Sequence, residues 1–575
     1  MNFLLFLSSL LFTSPIDSLQ TPFEKSGGTQ SATYEECISY YEKLAALSPE
    51  IKIIQQGNSS VGKPYHLIII SRAGISKPTE VNRKEKAVLF INNGIHPGEP
   101  DGIDASMMLA RDLLFKKEMN ALLSHVVVLI IPVYNIAGCM NRGCCSRANQ
   151  NGPLEYGFRA NAQNLDLNRD FMKNDAPETF SFENIFTQWH PDWFADTHVS
   201  DGADYTYTMT YIATQHNKLS PKLADYETNT LVPYLKSEMS KSGYEMCPYV
   251  NTLKETPDSG IAEFLESPRF STGYAALFNC IGFVLETHML KPYDSRVRST
   301  YAFLLSWIQK AYIDHGVIHG LHEFADEKTS AFENDFPINY KLDMNSQTEI
   351  SFKGYEAKYK PSDVSGESRL YYDEQSPYNK KIPFYNTYTA QLTIPKPSAY
   401  IIPQHCKKVI DIFQNNGVQM QQLTHDTIMK VECYYILDYK TGDHPYEGHY
   451  LHNNISVQKD TLMIHFYAGD VLVKMNQPAN RFILECLEPQ SMDGFFAWNY
   501  FDAILQQKEG YSNYVWEDKA AQILSTNPEL KKLFDQEKLN NADFATNAEA
   551  QLDFIYRHSP DYETSVNRYP VFRMF

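Results

Sequence analysis

The pattern of hydrophobic and polar positions predicts alternating strands and helices over the first half of the chain. Four apolar runs, at residues 88–91, 125–132, 193–198 and 281–286, lack polar alternation, which is typical of strands buried on both faces. Helical spacing of apolar residues occurs at 34–47, after Asp104 and at 295–312. Two further strand-like runs, at 51–55 and 65–71, flank a Gly57–Gly62 turn. Strands alternating with helices predict an α/β fold in which a doubly wound, mixed or parallel sheet is flanked by helices.

After about residue 315 the pattern changes. Residues 324–335 are polar and charged, which indicates a linker. Short runs between turns then predict a β-rich accessory domain at residues 330–490, with one helix at 407–415. These strand-like runs are at 349–352, 390–394, 431–437, 461–467 and 482–486. Residues 491–575 are more helical, so we predict a first domain at residues 23–315, the β-rich domain and a helical C-terminal segment.

The N-terminal residues have the character of a targeting segment. Residues 1–12 are almost entirely apolar but too short to cross a bilayer, and the small residues Ser14 and Ser18 follow. The pattern predicts a signal peptide over residues 1–18 and therefore an exported protein, periplasmic or secreted. No other segment is long and apolar enough, so we predict no transmembrane segment in the mature chain.

The net charge and the cysteine content argue against two classes of protein, nucleic-acid binders and disulfide scaffolds. The net charge of -18 over 575 residues argues against a nucleic-acid partner, which needs a basic face. Nine cysteines are too few for a disulfide scaffold. We assign the cluster of Cys139, Cys144 and Cys145 mainly to packing, and one local disulfide remains open.

Polar side chains occur where four of the buried strands end. They are His96 with Glu99, Asn135, His198 and Glu286. Open α/β sheets bind ligands at the carboxyl ends of their strands, and neutral imidazole and carboxylate are both zinc donors. A single His-x-x-Glu is weak, because a second copy exists at His444 and Glu447. None of the other features follows that copy, so we predict that it is a loop.

Other histidines receive structural interpretations. His315, His319 and His322 share one helical face, but Gly316 and Gly320 weaken a helix, so we predict that these histidines mark a helix end. His288 shares a strand face with Glu286, and an orienting role and simple packing are equally open for it.

The combined order of motifs resembles the zinc carboxypeptidase family of the carboxypeptidase A type. These motifs are His96-x-x-Glu99, then Asp166-Leu167-Asn168-Arg169, then His198, then Glu286. The Gly57-x-Ser59 turn is also similar to the family's opening hairpin, and the resemblance covers roughly residues 34–312. The rest of the chain resembles the extra C-terminal domain of some exported bacterial members.

The resemblance implies a zinc site with one Zn²⁺ per chain. His96, Glu99 and His198 would be its ligands, with water in the fourth position, and Asp166 would orient His96. Glu286 would be the general base that takes a proton from zinc-activated water and passes it to the leaving amine.

The resemblance also implies residues that hold the substrate. Asn168 and Arg169 would bind its terminal carboxylate. Arg159 is preferred slightly over Arg147 as the group that stabilises the oxyanion. Tyr274 is the candidate for a tyrosine that closes over the substrate, and Arg269 could replace it as a carboxylate anchor.

We therefore predict an exported zinc metallocarboxypeptidase that acts on a peptide or peptide-like substrate with a free carboxylate. The first alternative is a zinc amidase or deacylase, acting on a small acylated amino acid or a cell-wall peptide. The second is a catalytically inactive binding module, which is disfavoured because none of His96, Glu99, His198 and Glu286 is missing. The preferred C-terminal side chain and the oligomeric state stay open.

Overall fold

The computed structural model describes residues 19–333 and 335–575. The signal peptide predicted at residues 1–18 lies outside the described residues. In the described part of the chain, no helix combines the length and the apolar character needed to cross a membrane.

One large sheet organises the first half of the chain. The strands found there are β1 (Ile51–Asn58), β2 (Pro64–Ile70), β3 (Ala87–Asn93), β4 (Val126–Ile131), β5 (Trp193–Ser200), β6 (Met209–Ala213), β7 (Met246–Pro248), β8 (Asn251–Thr252), β9 (Ile261–Ala262) and β10 (Ile281–His288). Eight of them form a sheet in the order β1-β2-β4-β3-β5-β10-β6-β7. The central strands β4, β3, β5 and β10 are parallel, and antiparallel pairs lie on either side. The mixed sheet predicted from the hydrophobic pattern is therefore confirmed.

Helices cover both faces of this sheet. They are α1 (Pro22–Lys25), α2 (Tyr34–Leu47), α3 (Asp101–Phe115), α4 (Lys117–Asn120), α5 (Ile136–Met140), α6 (Pro177–Trp189), α7 (Pro221–Tyr226), α8 (Val232–Lys241), α9 (Ser271–Ala276) and α10 (Tyr293–Ser330). In β3, the Phe90 ring stacks on Phe182 of α6, while Asn93 accepts a hydrogen bond from Ser106 of α3. Residues 90 and 93 point to opposite faces of a strand, so α6 and α3 lie on opposite sides.

Helix α10 corrects two sequence predictions. It runs to Ser330, so residues 324–330 form its last turns rather than a linker, and His315, His319 and His322 lie within the helix. Two internal glycines cost about 1 kcal/mol each relative to alanine. Burial of side chains such as Phe303, Trp307 and His322 offsets that cost. Tertiary packing therefore decides where this helix ends.

The C-terminal region is more closely joined to the first half than the predicted boundaries imply. Its strands are β11 (Asp335–Leu342), β12 (Thr348–Pro361), β13 (Ser368–Tyr385), β14 (Tyr388–Pro395), β15 (Ala399–Ile402), β16 (Gln421–Gln422), β17 (Thr427–Thr441), β18 (His452–Phe466), β19 (Val471–Lys474) and β20 (Phe572–Met574). Its helices are α11 (Lys407–Asn415), α12 (Asn480–Leu487), α13 (Asn513–Thr526), α14 (Pro528–Asn540), α15 (Ala542–Thr546) and α16 (Ala548–Arg557). A four-stranded sheet, β12-β13-β9-β8, includes two strands from before residue 315.

The boundary predicted near residue 490 also divides a sheet. The six-stranded sheet has the order β16-β19-β15-β20-β17-β18, so the last strand of the chain returns to the β-rich part. The run at 482–486, predicted as a strand, lies in α12, where every one of its residues is buried; a short buried apolar run has no periodicity that separates a strand from a helix. Helices α13 to α16 form a small separate core around Trp516, Phe534 and Tyr556.

Candidate metal centre and active site

The turn between β3 and α3 brings His96 and Glu99 together. Glu99 N–H donates to the His96 carbonyl at 2.8 Å, which closes the turn and leaves His96 Nδ1 3.4 Å from Glu99 Oε1. Gly102 allows the close approach of α3, because a Cβ at this position would lie 2.0 Å from Thr197 Oγ1. The two side chains therefore point into one space at the carboxyl end of β3.

His198 and Glu286 reach the same space from adjacent parallel strands. They are register partners in β5 and β10, so their side chains lie on the same face. His198 Nδ1 is 3.2 Å from Glu99 Oε2. The ligand atoms of His96, Glu99 and His198 all lie within 4.8 Å of one another, and all three residues are buried.

Carboxylates fix the tautomer of both histidines. His96 Nε2 donates to Asp166 Oδ1 at 2.8 Å, and His198 Nε2 donates to Asp196 Oδ2 at 3.0 Å, because an ionised carboxylate only accepts. The Nδ1 lone pairs of both rings then face Glu99. Among the described residues, buried His96 Nδ1 has no hydrogen-bond partner. Two neutral imidazoles and a carboxylate, each held by an outer partner, fit a zinc ion.

The electrostatics of the group also favour a bound cation. Burial alone would lower the pKa of His198, but Asp196 and Glu99 raise it well above its ordinary value. Burial alone would raise the pKa of Glu99, but Arg147 and the two histidines lower it well below its ordinary value. The surroundings therefore stabilise a positive charge between the three ligand atoms, which a divalent metal would supply.

Glu286 lies in the wall of the same cavity, partly open to it. Burial raises its pKa to about 8, against the lowering effect of the His198 charge and together with smaller raising effects of Glu99 and Glu266. A carboxyl group with a pKa near neutrality can both accept and return a proton.

Asp166 connects His96 to the loop that carries Asn168 and Arg169. It accepts hydrogen bonds from His96, from Asn168 N–H at 2.9 Å and from Arg159 Nε at 2.9 Å. Burial alone would raise the pKa of Asp166, but His96 and Arg159 lower it strongly, so the carboxyl is ionised. Asn168 and Arg169 line the cavity, and the Arg169 guanidinium lies 4.4 Å from the centre of the Phe270 ring.

Arg147 and Arg159 both line the cavity, and they differ in what their guanidinium groups bind. Arg147 Nη1 donates to Glu99 Oε1 at 2.6 Å, and its Nη2 donates to the Val199 carbonyl at 3.2 Å. Arg159 is bound to Asp166, its Nη1 lies 3.6 Å from Glu99 Oε1, and its side chain is 44% exposed against 19% for Arg147. Arg147 is thus committed to a ligand, while Arg159 keeps a free edge toward the cavity.

The tyrosine prediction is wrong. Tyr274 is completely buried in α9, its hydroxyl donates to Asn416 Oδ1 at 2.6 Å, and its ring packs among core aromatics such as Phe186. The tyrosine that lines the cavity is Tyr249, which follows the short strand β7.

Arg269 does not serve as a carboxylate anchor either. Its guanidinium pairs with Asp493 at 2.6 Å and lies 4.9 Å from the Trp498 ring centre, outside the cavity lining. His288 Nε2 donates to the Ala203 carbonyl, which agrees with packing rather than an orienting role. His444 is exposed at a hairpin tip and belongs to no metal-capable group among the described residues.

The complete cavity has a volume of about 280 Å³. Its walls are His96, Glu99, Arg147, Arg159, Asn168, Arg169, His198, Val199, Ser200, Asp201, Ile212, Tyr249, Phe264, Glu266, Phe270 and Glu286. Sequence reasoning missed Tyr249, Glu266 and the outer partner Asp196. Only Asp196 left a usable signal, because a carboxylate two residues before His198 in a strand must lie on the same face.

A second group, His190, His322 and Asp326, also has ligand atoms within 4.8 Å of one another. It borders a larger cavity of about 650 Å³. His322 Nδ1 lies 3.2 Å from Asp192 Oδ1, and its Nε2 lies 3.1 Å from the Phe278 carbonyl oxygen. Both partners accept, so the ring carries both protons and has no lone pair for a metal. The His190 ring stacks on it with centroids 4.4 Å apart, which indicates a structural role.

The local disulfide that the sequence left open for the cysteine cluster is present. Cys144 and Cys145 form a disulfide between adjacent residues, and Cys139 is a buried free thiol.

Comparison with protein families gives a match within the first half of the chain. Residues 37–258 match the family model described as zinc carboxypeptidase. The chain carries a zinc carboxypeptidase domain. The matched span contains His96, Glu99, Asp166 and His198, and it ends before Glu286.

The chain as a whole also has similar proteins of comparable length. Carboxypeptidase 2 of Trichophyton equinum is 22% identical over 511 residues, which is 85% of this chain and 87% of the relative. Carboxypeptidase 2 of Trichophyton rubrum is 22% identical over 509 residues, 85% and 87% of the two chains. A match of this length extends beyond residue 315, so the likeness includes part of the C-terminal region.

Solved structures are similar over about half of the chain. A metallo-carboxypeptidase from Burkholderia cenocepacia has a TM-score of 0.37 and 15% identity, over 49% of this chain and 70% of its own. Carboxypeptidase A from Helicoverpa armigera has a TM-score of 0.38 and 15% identity, over 51% of this chain and 74% of its own.

Proposed function

We propose that this chain is a zinc metallocarboxypeptidase that releases C-terminal residues from peptides. The observation that carries the proposal is the shape of one cavity. Two histidines and a carboxylate converge on one wall, and Asn168 and Arg169 lie on another. A scissile carbonyl and a terminal carboxylate of one substrate would thus be bound in the same space.

His96, Glu99 and His198 would hold the zinc, with Asp166 and Asp196 orienting the two imidazoles. When bound, zinc supplies a Lewis acid that makes water more acidic and polarises the peptide carbonyl. The chain contributes the buried position of the three ligands, in which the Nδ1 atoms of both histidines face Glu99.

Glu286 would act as the general base. Glu286 is the register partner of His198 and lines the same cavity as the ligand group, which supports this role. It would take one proton from the attacking water and return it to the amine that leaves when the peptide bond breaks. Its raised pKa suits both transfers near neutral pH.

Asn168 and Arg169 would bind the substrate's terminal carboxylate. Arg169 stacks on Phe270 and donates through Nη1 to the Asn168 carbonyl, which holds the guanidinium plane in place. A fixed guanidinium can form two parallel hydrogen bonds to a carboxylate. The enzyme would therefore act only at a free C-terminus.

Arg159 would stabilise the negative charge that develops on the peptide oxygen. It lines the cavity with its Nη1 3.6 Å from Glu99 Oε1, beyond hydrogen-bond distance, whereas Arg147 donates to the same oxygen at 2.6 Å. Loss of one such donor typically costs about 10²- to 10³-fold in kcat. An Arg159→Ala variant should show that loss with zinc retained, and an Arg147→Ala variant should first weaken zinc binding.

A matched pair of peptides tests the proposal. The pair has one sequence, with a free carboxylate in one peptide and a C-terminal amide in the other. The wild-type enzyme should cleave only the free acid, and Arg169→Ala should remove most of that preference. Cleavage of both peptides at equal rates would contradict the proposal. Hydrolysis of N-acylated amino acids with both peptides intact would favour an amidase or deacylase.

Export is part of the proposal and rests on the apolar segment at residues 1–12. N-terminal sequencing of protein recovered outside the cytoplasm should give a first residue near position 19. Retention of the intact N-terminus in the cytoplasm would contradict export.

A further inference from the structure

The second His-x-x-Glu motif forms a tight hairpin tip against the catalytic loop. The tip, residues 446–449, joins β17 and β18, and Tyr446 and His449 exchange two backbone hydrogen bonds at 2.7 and 3.0 Å. Glu447 has a φ of 50° and Gly448 a φ of 79°, the pair of positive values that a two-residue hairpin turn requires. The backbone of the tip is therefore held in one conformation.

Glu447 reaches from this tip to Asp166. Its Oε2 accepts a hydrogen bond from Asp166 N–H at 2.7 Å, across 281 residues of sequence. The side chain is partly buried in this contact, and Gly448 lies beside Leu165. A hydrogen bond to an ionised acceptor at this distance is among the stronger ones in proteins.

Two other tertiary contacts hold the tip in place. His449 Nε2 lies 2.7 Å from Asp175 Oδ2. The Tyr446 ring stacks on Trp498, with centroids 6.1 Å apart and planes 19° apart. The residues on both sides of Glu447 are thus held by tertiary contacts. These contacts fix the position of the Glu447 carboxylate relative to the Asp166 backbone.

We propose that Glu447 is a positioning residue of the zinc site and that the C-terminal region completes the active site through the hairpin tip. The inference rests on the proposed function. Asp166 orients His96 and Arg159 through its side chain and receives the Asn168 N–H. Fixing the Asp166 backbone therefore fixes a zinc ligand, the arginine at the cavity wall and the substrate loop together.

The test measures zinc affinity by competition with a chelator in Glu447→Ala, Glu447→Gln and Asp443→Asn. Asp443 lies in the same connection, is exposed and makes no side-chain hydrogen bond among the described residues, so Asp443→Asn is the matched control. We expect Glu447→Ala to bind zinc about tenfold more weakly, the lower end of the 10- to 100-fold range for lost outer partners. Glu447→Gln keeps an acceptor oxygen and should recover most of the affinity.

The kinetics on a peptide substrate give a second measurement. Because Arg159 would stabilise the developing oxyanion and His96 would hold the zinc, Glu447→Ala should lower kcat about tenfold and change KM by less, as expected for lost transition-state interactions. Thermal unfolding of the zinc-free proteins serves as the check on the fold. A lower unfolding temperature with unchanged zinc affinity and kcat would overturn the inference, because it would show a purely structural contact.

The two proposals fail in different ways. If the wild type binds zinc and cleaves no peptide, the proposed function is wrong, and the zinc affinities still test Glu447. If the wild type cleaves peptides and Glu447→Ala matches Asp443→Asn in zinc affinity and kcat, only the role of Glu447 is wrong.

Discussion

Two clusters of buried or half-buried side chains can be compared: the His96 group (His96, Glu99 and His198) and the His190 group (His190, His322 and Asp326). Both contain two histidines and a carboxylate, with nearly equal distances between a histidine nitrogen and the carboxylate oxygen. His96 Nδ1 lies 3.4 Å from Glu99 Oε1, and His190 Nε2 lies 3.5 Å from Asp326 Oδ2. Both groups include a second histidine whose ring is bound to a buried aspartate. By donor type and distance alone the two are equivalent.

The partners of the second histidine separate them. His198 gives one nitrogen to Asp196 and turns the other toward Glu99, which is itself a candidate ligand, so that a metal ion can replace a proton between them. Both nitrogens of His322 are bound by oxygen acceptors that lie outside its group, Asp192 and the Phe278 carbonyl. Burial alone would lower the pKa of His322, but its hydrogen bond to Asp192 and the charge of Asp326 raise it. A metal site therefore depends on which lone pairs remain free, and a cluster of suitable residues is not sufficient.

The largest expected effect comes from removing one histidine of each group. His198→Ala should abolish peptidase activity and weaken zinc binding by more than the 10- to 100-fold that loss of an outer partner costs. His322→Ala should leave the zinc content at its wild-type value. Metal analysis of the two purified variants measures this. Equal zinc loss in both would mean that the two groups do not differ in the way described.

Glu286→Gln separates the role of the base from that of the ligands in the His96 group. It removes the base but no ligand, so we expect a loss of about 10² to 10⁴ in kcat with zinc retained. Steady-state kinetics on one peptide and metal analysis of the same sample measure both quantities. Turnover near the wild-type rate would place the base on another residue.

The outer carboxylates provide the next test. Asp196→Asn should weaken zinc binding by about 10- to 100-fold, because the tautomer of His198 is no longer fixed. Asp192→Asn should leave zinc binding unchanged and lower the free energy of unfolding by about 1–3 kcal/mol, because it weakens a buried charged network with Arg83 and His322. Chelator competition and denaturant unfolding separate the two outcomes. Weaker zinc binding in Asp192→Asn would contradict the structural role of the second group.

The smallest expected effect is on the pH dependence of stability. The pKa of folded His322 is raised, so its stabilising contribution is complete below the unfolded value of about 6.5 and is lost as the pH rises through the folded value. His322→Asn should therefore reduce the loss of stability on moving from pH 6 upward. Denaturant unfolding of both proteins across this range measures the difference. Parallel curves would show that the pKa of His322 is the same in the folded and unfolded states, which would contradict the raised value.

The sequence pattern predicted those features that depend on local periodicity. Helix α2 at Tyr34–Leu47 and helix α11 at Lys407–Asn415 have the predicted bounds, because each has an apolar stripe at helical spacing. The central strands were predictable because both faces are buried, which produces unbroken apolar runs.

Features that depend on tertiary contacts were not predictable in the same way. Helix α10 continues past Gly316 and Gly320 because buried neighbours compensate for them. Tyr274 precedes Glu286 along the chain and is the sequence candidate for that reason, yet its hydroxyl binds Asn416 of the C-terminal region. The contact between Glu447 and Asp166 joins residues 281 positions apart and leaves no signal in a single sequence.

The most direct test of the zinc carboxypeptidase assignment is mass spectrometry of a mixed peptide pool. The pool would be incubated with the purified wild type and, in parallel, with Glu286→Gln. The account predicts stepwise loss of C-terminal residues with the wild type and intact peptides with the variant. No change in any peptide with zinc-loaded wild type, or equal cleavage by the variant, would contradict it.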